Sequence, residues 1–219
     1  MPVVVEQATG KYLALCEGDD YWTDPLKLKI QVDFLEKHPE YVISGHDAFI
    51  IDDQGNRLKD SQLPDVYKRD YSAQELAAGK AWILTMSWVY RNVIDEFAPE
   101  RKMVLNGDTF LTSILGGYGK SHFHHDIKPA AYRVHSGSVW SSLEQGDKVY
   151  DLINTWYWIS RYYKRIGDQD LADLYRSKMK DGIVSRSTTF ELFSWPFKRL
   201  IQVILGPRLT AKLKRAIKK

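Results

Sequence analysis

The stretch KYLALCEGDDYWTDPLKLKIQVDFLE, residues 11–36, decides the fold prediction. Its apolar run at residues 12–16 predicts a buried strand that ends in the acidic turn Glu17-Gly18-Asp19-Asp20. In residues 26–34, apolar and polar residues alternate, and this alternation by itself favours a strand. The same residues also form two stripes at helical spacing, and Asp24 with Pro25 supplies an N-cap and a first helical position. We therefore predict a helix over residues 25 to about 37.

Downstream, strand and helix patterns continue to alternate. Residues 41–51 are rich in β-formers and predict a strand before the turn 53–56. Residues 58–71 predict a surface loop, followed by a short helix near Ser72 with Glu75 in capping-box position. Residues 83–91 predict another strand.

The second half begins with a helix signal and ends in helices. Asn106-Gly107-Asp108 precedes an apolar helical pattern that stops at Gly116-Gly117. Residues 121–134 predict two short strands around Lys128-Pro129. From about residue 143 onward the pattern is helical, with breaks expected at Gly167, Gly182 and Pro196.

This order predicts an α/β protein with a core over residues 1–142 and a C-terminal helical region over residues 143–219. An α/β domain that binds a nucleotide usually begins with strand-turn-helix units of about 30 or more residues. Here residues 1–11 precede the first predicted strand. The core is therefore expected to be N-terminally incomplete.

Composition limits the classes of function. The chain has 219 residues, 44% hydrophobic and 27% charged, which suits a globular protein with a real core. Its net charge of +3 does not suggest a nucleic-acid partner, and no apolar stretch approaches the ~20 residues of a membrane span. The single Cys16 and the absence of a signal-peptide pattern at the N-terminus favour the cytoplasm.

The acidic turn at residues 17–20 carries most of the functional signal. Crowded carboxylates repel one another unless a cation or solvent relieves them, and oxygen-rich sites suit Mg²⁺ or Mn²⁺ completed by substrate phosphates. A diphosphate ligand fits this chemistry. The alternative is a solvated turn or a cap for the next helix.

Residues 11–36 resemble, nearly throughout, the segment of family 2 glycosyltransferases that contains an Asp-X-Asp motif, an aromatic pair, an Asp-Pro and a helix. This resemblance is the main reason to prefer a helix after Pro25. It implies a GT-A (Rossmann-like) core in which Asp19 contacts the metal on the donor diphosphate and Glu17 lies near the donor's ribose or sugar. Glu17 departs from the commoner Asp, and Asp20 is expected to support the turn on the donor side.

Two later stretches match the same family in the same order. Asn106-Gly107-Asp108 resembles the site where the family often carries Glu-Asp, which implies that Asp108 is the catalytic base, although Gly107 departs from the pattern. The alternative is that Asp108 is a helix N-cap.

Residues 132–140 (YRVHSGSVW) resemble the loop that closes over the donor diphosphate. The resemblance implies that His135 binds the metal, tilting it toward Mn²⁺, or binds phosphate. Arg133 would neutralise the diphosphate, and Trp140 is assigned to the acceptor side. A structural histidine and a solvent-facing arginine are the alternatives.

Other polar and aromatic residues are candidates for acceptor binding. His46 and Asp47 are expected to face the active site, and further candidates line a possible acceptor groove: Trp82, Ser87, Trp88 and Arg91. Tryptophan in a core strand is nevertheless the commoner case. A metal cluster is superficially suggested by His122, His124 and His125 with Asp126. On a strand, His122 and His124 share one face without a third ligand at convincing spacing, so we favour a structural role.

The tail at residues 193–219 contains no acidic residue, while apolar and basic residues interleave along it. This pattern predicts a helix at the surface of an anionic membrane, where a lipid-linked acceptor would be presented. An ordinary docking helix with a solvated basic end is the alternative.

The resemblance, over residues 6–140, implies an inverting glycosyltransferase of bacterial cell-surface polysaccharide synthesis, located in the cytoplasm or at the inner face of the membrane. It would transfer a sugar from a nucleotide-sugar donor, with a UDP-sugar favoured, to a glycan or lipid-linked acceptor, with Mn²⁺ or Mg²⁺ as cofactor. An inactive glycosyltransferase-like binding or scaffold module is the main alternative. A metal-dependent phosphoryl-transfer enzyme is a further one.

Overall fold

The protein, seen in a computed structural model, is described for residues 7–94, 98–135, 137 and 145–184. The strands are β1 (Tyr12–Ala14), β2 (Tyr41–Gly45), β3 (Ala48–Ile51), β4 (Arg57–Lys59), β5 (Val89–Arg91), β6 (Lys120–Phe123) and β7 (Ala130–Arg133). The helices are α1 (Lys27–Lys37), α2 (Ala73–Ala77), α3 (Gly107–Leu115), α4 (Gln145–Ile166) and α5 (Gln169–Val184). Strands and helices thus alternate before a helical C-terminal region, which confirms the α/β class.

The strands form two mixed sheets. One has the order β1-β5-β2-β6, with antiparallel pairs except for the parallel pair β2-β6. The other has the order β4-β3-β7, in which β3 and β4 are antiparallel and β3 and β7 are parallel. Both parallel pairs join residues 41–51 to the segment after α3, so the two sheets bring distant residues together.

The predicted strand at residues 41–51 is in fact two strands in different sheets. The chain leaves the first sheet after Gly45, and β3 begins in the second sheet at Ala48. Asp47 supports this change, because its Oδ1 accepts hydrogen bonds from the backbone N–H of Ala48 (2.8 Å) and of Leu63 (3.1 Å). The single-strand prediction was wrong because the β-forming composition runs on through the break.

Two other predicted boundaries also differ. Helix α1 begins at Lys27 and its N-cap is Leu26, because Asp24 instead accepts hydrogen bonds from the backbone N–H of Leu26 (2.9 Å) and of Lys128 (3.0 Å). Of the strand predicted over 83–91, only Val89–Arg91 is a strand, and Thr85–Ser87 forms a 3₁₀ turn.

The predictions for the first strand and for a helix break at Gly182 need correction as well. β1 lies at a sheet edge and only its central Leu13 is buried, so it is not the buried strand expected. Gly182 lies inside α5 and does not break it. Gly167 does separate α4 from α5, with a φ of +89° that favours glycine.

Helix α1 packs on the first sheet through a buried polar side chain. The Gln31 Nε2 donates to the backbone oxygens of Ser44 (3.1 Å) and Ser87 (3.0 Å), and its Oε1 accepts from Lys27 Nζ (2.6 Å). These bonds satisfy the amide group of Gln31, which is itself fully buried. They fix α1, and hence the acidic turn before it, relative to the sheet.

The helical region holds the segment that precedes α3. The backbone N–H of Leu105 donates to Asn154 Oδ1 (3.1 Å) and that of Asn106 donates to Thr155 Oγ1 (3.0 Å), both on α4. Arg165 at the end of α4 forms a bidentate ion pair with Glu100 (2.8 and 2.9 Å). These contacts hold the segment before α3 against helix α4.

In the described residues, no helix has the length and apolar character needed to cross a bilayer.

We expect Gly116→Ala to destabilise the protein by about 1–3 kcal/mol, because a Cβ there would lie 2.3 Å from the backbone nitrogen of Ala77 on α2. Gly107→Ala is the matched control, since a Cβ at that position meets nothing within 4 Å. The control is expected to be neutral or up to about 1 kcal/mol more stable. Urea unfolding followed by circular dichroism measures both. Equal stability of the two variants would contradict the close packing of α2 on α3.

Candidate active site

A cleft of about 620 Å³ opens beside the acidic turn and contains the strongest candidates for chemistry. Its described walls come from the turn after β1, the segment before β5, the beginning of α3, strand β7 and helix α4. The residues that line it are Glu17, Asp20, Gln62, Trp82, Ile83, Leu84, Thr85, Met86, Asn106, Asp108, Thr109, Tyr132, Lys148, Val149 and Leu152. Two acids of the turn therefore share one cleft with the distant Asp108.

Glu17 is the most perturbed carboxyl group of the cleft. Its Oε2 atom is buried and has no hydrogen-bond partner. Burial raises the pKa of Glu17 to about 7, and the charges of Asp20, Asp19 and Asp108 act in the same direction. A cation or a hydrogen-bond donor next to this carboxyl group would stabilise its charged form.

Asp20 connects the acidic turn to strand β7. Its Oδ1 accepts a hydrogen bond from the backbone N–H of Arg133 (2.8 Å), and residues Tyr21 and Ala131 exchange backbone hydrogen bonds of 3.2 and 2.9 Å. Burial nevertheless raises the pKa of Asp20 to about 6, against the lowering effect of that N–H. The turn is thus held against β7 in spite of the charge it carries.

The Arg133 side chain secures the same turn. Its Nε donates to the backbone oxygen of Asp19 (3.0 Å), and its Nη1 donates to those of Asp52 (2.8 Å) and Asp53 (3.2 Å). The predicted solvent-facing alternative is therefore wrong. These contacts position the acidic turn, and Arg133 is not among the described residues that line the cleft.

His135 and Asp19 form a pair at the edge of the acidic turn. The His135 Nε2 lies 3.0 Å from Asp19 Oδ2, and both side chains are partly exposed. The backbone N–H of Gly137 donates to His135 Nδ1 (3.1 Å), which assigns the ring proton of the neutral imidazole to Nε2. In this arrangement Nε2 donates to Asp19, and metal binding through that nitrogen would require a different tautomer. Within the described ranges, no three metal-binding side chains lie close enough to hold an ion.

Asp108 lies in the first turn of α3, where the partial positive charge of the helix N-terminus favours a carboxylate. Its Oδ1 accepts from the backbone N–H of Thr109 (2.6 Å), and Thr85 Oγ1 approaches its Oδ2 at 3.5 Å. The N-cap position belongs to Asn106, so the N-cap alternative for Asp108 was wrong. Asp108 is half-buried and faces the cleft.

Three of the predicted acceptor-binding residues lie in the interior. His46, Ser87 and Trp88 are at most 1% exposed, and none of them lines the cleft. The Ser87 Oγ accepts from the backbone N–H of His46 (3.2 Å), and Trp88 Nε1 donates to the Ile83 oxygen (3.0 Å). The predicted acceptor contacts are wrong for these three residues. Residues 85–87 form a 3₁₀ turn instead of a strand along a groove, and Ser87 and Trp88 are buried.

Asp47 is also committed to structure. Besides its two backbone N–H partners, its Oδ2 accepts from Ser61 Oγ (2.6 Å) and pairs with Lys68 Nζ (3.2 Å). Trp140 lies outside the described residues, as does the basic tail at 193–219. Of the aromatic candidates, Trp82 is 42% exposed and lines the cleft.

The two histidines on and after β6 make protein contacts. His122 stacks on Phe34 with ring centres 3.8 Å apart, and its Nδ1 lies 3.0 Å from Asp70. His124 is buried, and its Nδ1 lies 3.2 Å from Asp126 Oδ1. Each ring thus has a carboxylate partner of its own.

The sequence patterns did not reveal the wall formed by α4. Lys148, Val149 and Leu152 belong to a helix predicted as a separate region, yet they line the same cleft as Asp108. No local signal distinguishes them from ordinary residues of an amphipathic helix. The hydrogen bonds from residues 105 and 106 to α4 bring them there.

The protein is a mixed α/β protein with a cleft lined by three carboxyl groups. The related proteins found by comparison have names that state no function. No family model matches the chain. Uncharacterized proteins of Mycobacterium bovis and of two Mycobacterium tuberculosis strains are 38% identical to it over 144 residues. The alignment covers 64% of this chain and 39% of each relative, so the chain spans about two fifths of the length of the curated relatives it matches.

The raised pKa of Glu17 predicts that this residue lowers the free energy of unfolding at high pH. Its pKa is about 7 in the folded protein and about 4.5 in the unfolded chain. The destabilisation is therefore absent below pH 4.5 and complete above pH 7. Because the side chain is partly exposed and its charge is partly screened by solvent, Glu17→Gln should stabilise the protein at pH 8 by about 1–2 kcal/mol and have little effect at pH 4.5. Thermal unfolding at several pH values measures this difference.

Glu40→Gln is the control, because Glu40 is exposed and does not line the cleft. It should change the free energy of unfolding by less than about 0.5 kcal/mol at either pH. A pH-independent effect of Glu17→Gln would show that burial does not perturb this carboxyl group.

Proposed function

We propose that this protein is an inverting glycosyltransferase with a GT-A type core, which transfers a sugar from a nucleotide-diphosphate donor to a glycan or lipid-linked acceptor. The observation that carries the proposal is the convergence of Glu17, Asp20 and Asp108 in one cleft, from segments about ninety residues apart. Such a cleft offers an acidic end for a cation and a separate carboxylate for proton transfer. The sequence resemblance over residues 6–140 supports the same reaction.

The acidic turn fits a hard divalent cation. The Glu17 Oε2 atom has no hydrogen-bond partner, and burial raises the pKa values of Glu17 and Asp20, so a nearby cation would stabilise the charged forms of both groups. Mg²⁺ or Mn²⁺ commonly uses one or two protein carboxylates and takes its other ligands from substrate phosphates. Asp19 would contact the ion, which when bound would neutralise charge on the donor diphosphate, and substrate phosphates and water would supply the remaining ligands.

Asp108 is the proposed base. Its carboxylate would accept the proton of the acceptor hydroxyl as that oxygen attacks the anomeric carbon, and the bond from this carbon to the diphosphate breaks. Attack from the face opposite the leaving group inverts the anomeric centre. The hydrogen bond from Thr109 and the contact with Thr85 orient the carboxylate for this role.

The surroundings of the cleft support a sugar substrate. Trp82 exposes part of its ring there, and aromatic faces pack well against the apolar faces of sugars. A role in bacterial cell-surface polysaccharide synthesis, with a UDP-sugar as donor and peripheral membrane association through the tail, remains part of the proposal. Because the chain matches about two fifths of its relatives' length, the activity of the whole protein is likewise a proposal.

We expect Asp19→Ala to abolish Mn²⁺-dependent binding of UDP. The exposed Asp173 on α5 provides the control variant Asp173→Ala, which should bind as the unaltered protein does. Isothermal titration of UDP with and without Mn²⁺ measures the difference. Equal, metal-independent binding by all three proteins would contradict the assignment of Asp19.

We expect Asp108→Asn to retain donor binding and to lower the transfer rate by about 10²–10⁴-fold, because the amide cannot accept the proton. Transfer of radiolabelled sugar to a membrane glycolipid extract measures the rate, and UDP titration measures binding. Normal transfer by this variant would refute the role of Asp108 as base. Donor binding without turnover by the unaltered protein would instead favour the inactive binding module, and phosphate release without an acceptor would favour phosphoryl transfer.

A further inference from the structure

Asn106 occupies the N-cap position of α3 without capping the helix through its side chain. The backbone N–H of Thr109, which an N-cap side chain commonly binds, donates instead to Asp108 Oδ1 at 2.6 Å. The backbone torsions of Asn106 (φ −103°, ψ 86°) also lie outside the extended region that N-cap residues usually adopt. The usual reason for an asparagine at this position therefore does not apply here.

The amide nitrogen of Asn106 has no hydrogen-bond partner among the described residues. Asn106 is 8% exposed, and its Nδ2 atom is buried. A buried donor without a partner costs free energy, because it loses its hydrogen bonds with water and gains none in exchange. Native proteins contain few such groups, and each needs an explanation. Asn106 also lines the cleft, so a ligand bound there would lie beside this amide.

Asn106 is held close to the proposed base. Only Gly107 separates it from Asp108, so the two Cα atoms are at most about 7.6 Å apart. Its backbone N–H donates to Thr155 Oγ1 (3.0 Å) on α4, and its backbone oxygen accepts from Phe110 (3.2 Å). These bonds fix the backbone and leave Nδ2 unbound. Rotation about the Cβ–Cγ bond would turn an N–H toward the cleft without breaking a hydrogen bond of Nδ2.

We propose that Asn106 donates a hydrogen bond to an acceptor oxygen on the carbon next to the attacking hydroxyl. This inference rests on the proposed glycosyl transfer. Asp108 takes the proton of the attacking hydroxyl, and Asn106, two residues away, binds the oxygen beside it. The acceptor is thus a sugar or polyol with a vicinal diol at the point of attack. A site that hydrogen-bonds one hydroxyl discriminates against the analogue that lacks it.

Other groups in the cleft also suit a polyhydroxylated ring. Trp82 is 42% exposed, and an aromatic ring packs against the apolar face of a sugar. Thr85 adds a hydroxyl group, whose oxygen lies 3.5 Å from Asp108 Oδ2. A few polar groups in a partly apolar cleft fix the orientation of a ligand. The amide of Asn106 would thus select which face and edge of the sugar meets Asp108.

The test is a double-mutant cycle between the protein and the acceptor. Asn106→Ala removes the amide. Gln74→Ala is the control, because Gln74 is an exposed amide on α2 and is not among the described residues that line the cleft. The acceptors are the methyl glycosides of glucose, galactose and mannose, each with its monodeoxy derivatives. The donors are UDP-glucose, UDP-galactose and UDP-N-acetylglucosamine with Mn²⁺, and donor hydrolysis without an acceptor is measured in parallel.

We expect loss of one hydroxyl next to the attacking one to lower the kcat/KM of the unaltered protein about 10-fold, as the loss of one hydrogen bond predicts. Asn106→Ala should lower kcat/KM for the parent glycoside by a similar factor. It should show no further loss with that deoxy derivative, because both changes remove the same bond. Gln74→Ala should keep the full discrimination, and the donor KM should stay unchanged in both variants.

The midpoint of urea unfolding separates this role from a structural one. Removal of an unpartnered buried donor should leave the midpoint of Asn106→Ala unchanged or higher, whereas loss of a needed helix cap lowers it. A lower midpoint with unaltered discrimination between parent and deoxy glycosides would overturn the proposal. A higher donor KM with unaltered acceptor discrimination would also overturn it, since the amide would then bind an oxygen of the donor.

The failure of the proposed function is distinguishable from these outcomes. If the unaltered protein neither hydrolyses nor transfers any of the donors, glycosyl transfer is refuted. Calorimetric titration of the methyl glycosides still tests the amide in that case. Weaker binding of one deoxy derivative than of its parent, with the difference lost in Asn106→Ala and kept in Gln74→Ala, supports the contact. Equal binding of parents and derivatives, or no binding of either, refutes it.

Discussion

The cleft depends on one arrangement, the docking of the acidic turn on strand β7. The backbone N–H of Arg133 binds the Asp20 carboxylate, the Arg133 side chain binds the backbone of the turn, and Tyr21 pairs with Ala131. Without these bonds, neighbouring carboxylates would separate and turn toward water, because burial disfavours their charged forms. Strand β7 thus keeps the acids together where repulsion alone would disperse them.

This arrangement keeps two carboxyl groups of the acidic turn partly away from water. Glu17 is buried without a hydrogen-bond partner for one oxygen, and the raised pKa values of Glu17 and Asp20 record the cost. Groups perturbed in this way by burial and by like charges are common at functional sites, where a ligand supplies the compensation. Because the two acids and Asp108 share the cleft, a cation and its attached substrate would meet a carboxylate from α3 in the same space.

Helix α4 joins the two predicted parts of the chain into one site. It fixes the segment before α3 through Asn154 and Thr155, and it provides Lys148 and an apolar wall to the cleft. Residues on both sides of the predicted boundary near residue 142 line the cleft.

The sequence by itself determined the features that depend on neighbouring residues. The order of strands and helices, the Ser72-Glu75 capping box, the turn at Gly55 and the break at Gly167 follow from local propensities and from glycines with positive φ. The candidates Glu17, Asp20 and Asp108 were also recognisable, because acids at the end of a strand and at the start of a helix form local patterns.

Only the tertiary structure decided which residues share the cleft. Four features depend on contacts between residues 41 to 114 positions apart: the change of sheet at residues 46–47, the burial of Ser87 and Trp88, the contacts of Arg133 with the acidic turn, and the position of α4 beside the cleft. A local pattern does not encode such contacts, because each is favourable only after the sheets and α4 have packed. The physical reason is that side-chain direction and burial are fixed by packing partners, which the neighbouring sequence does not specify.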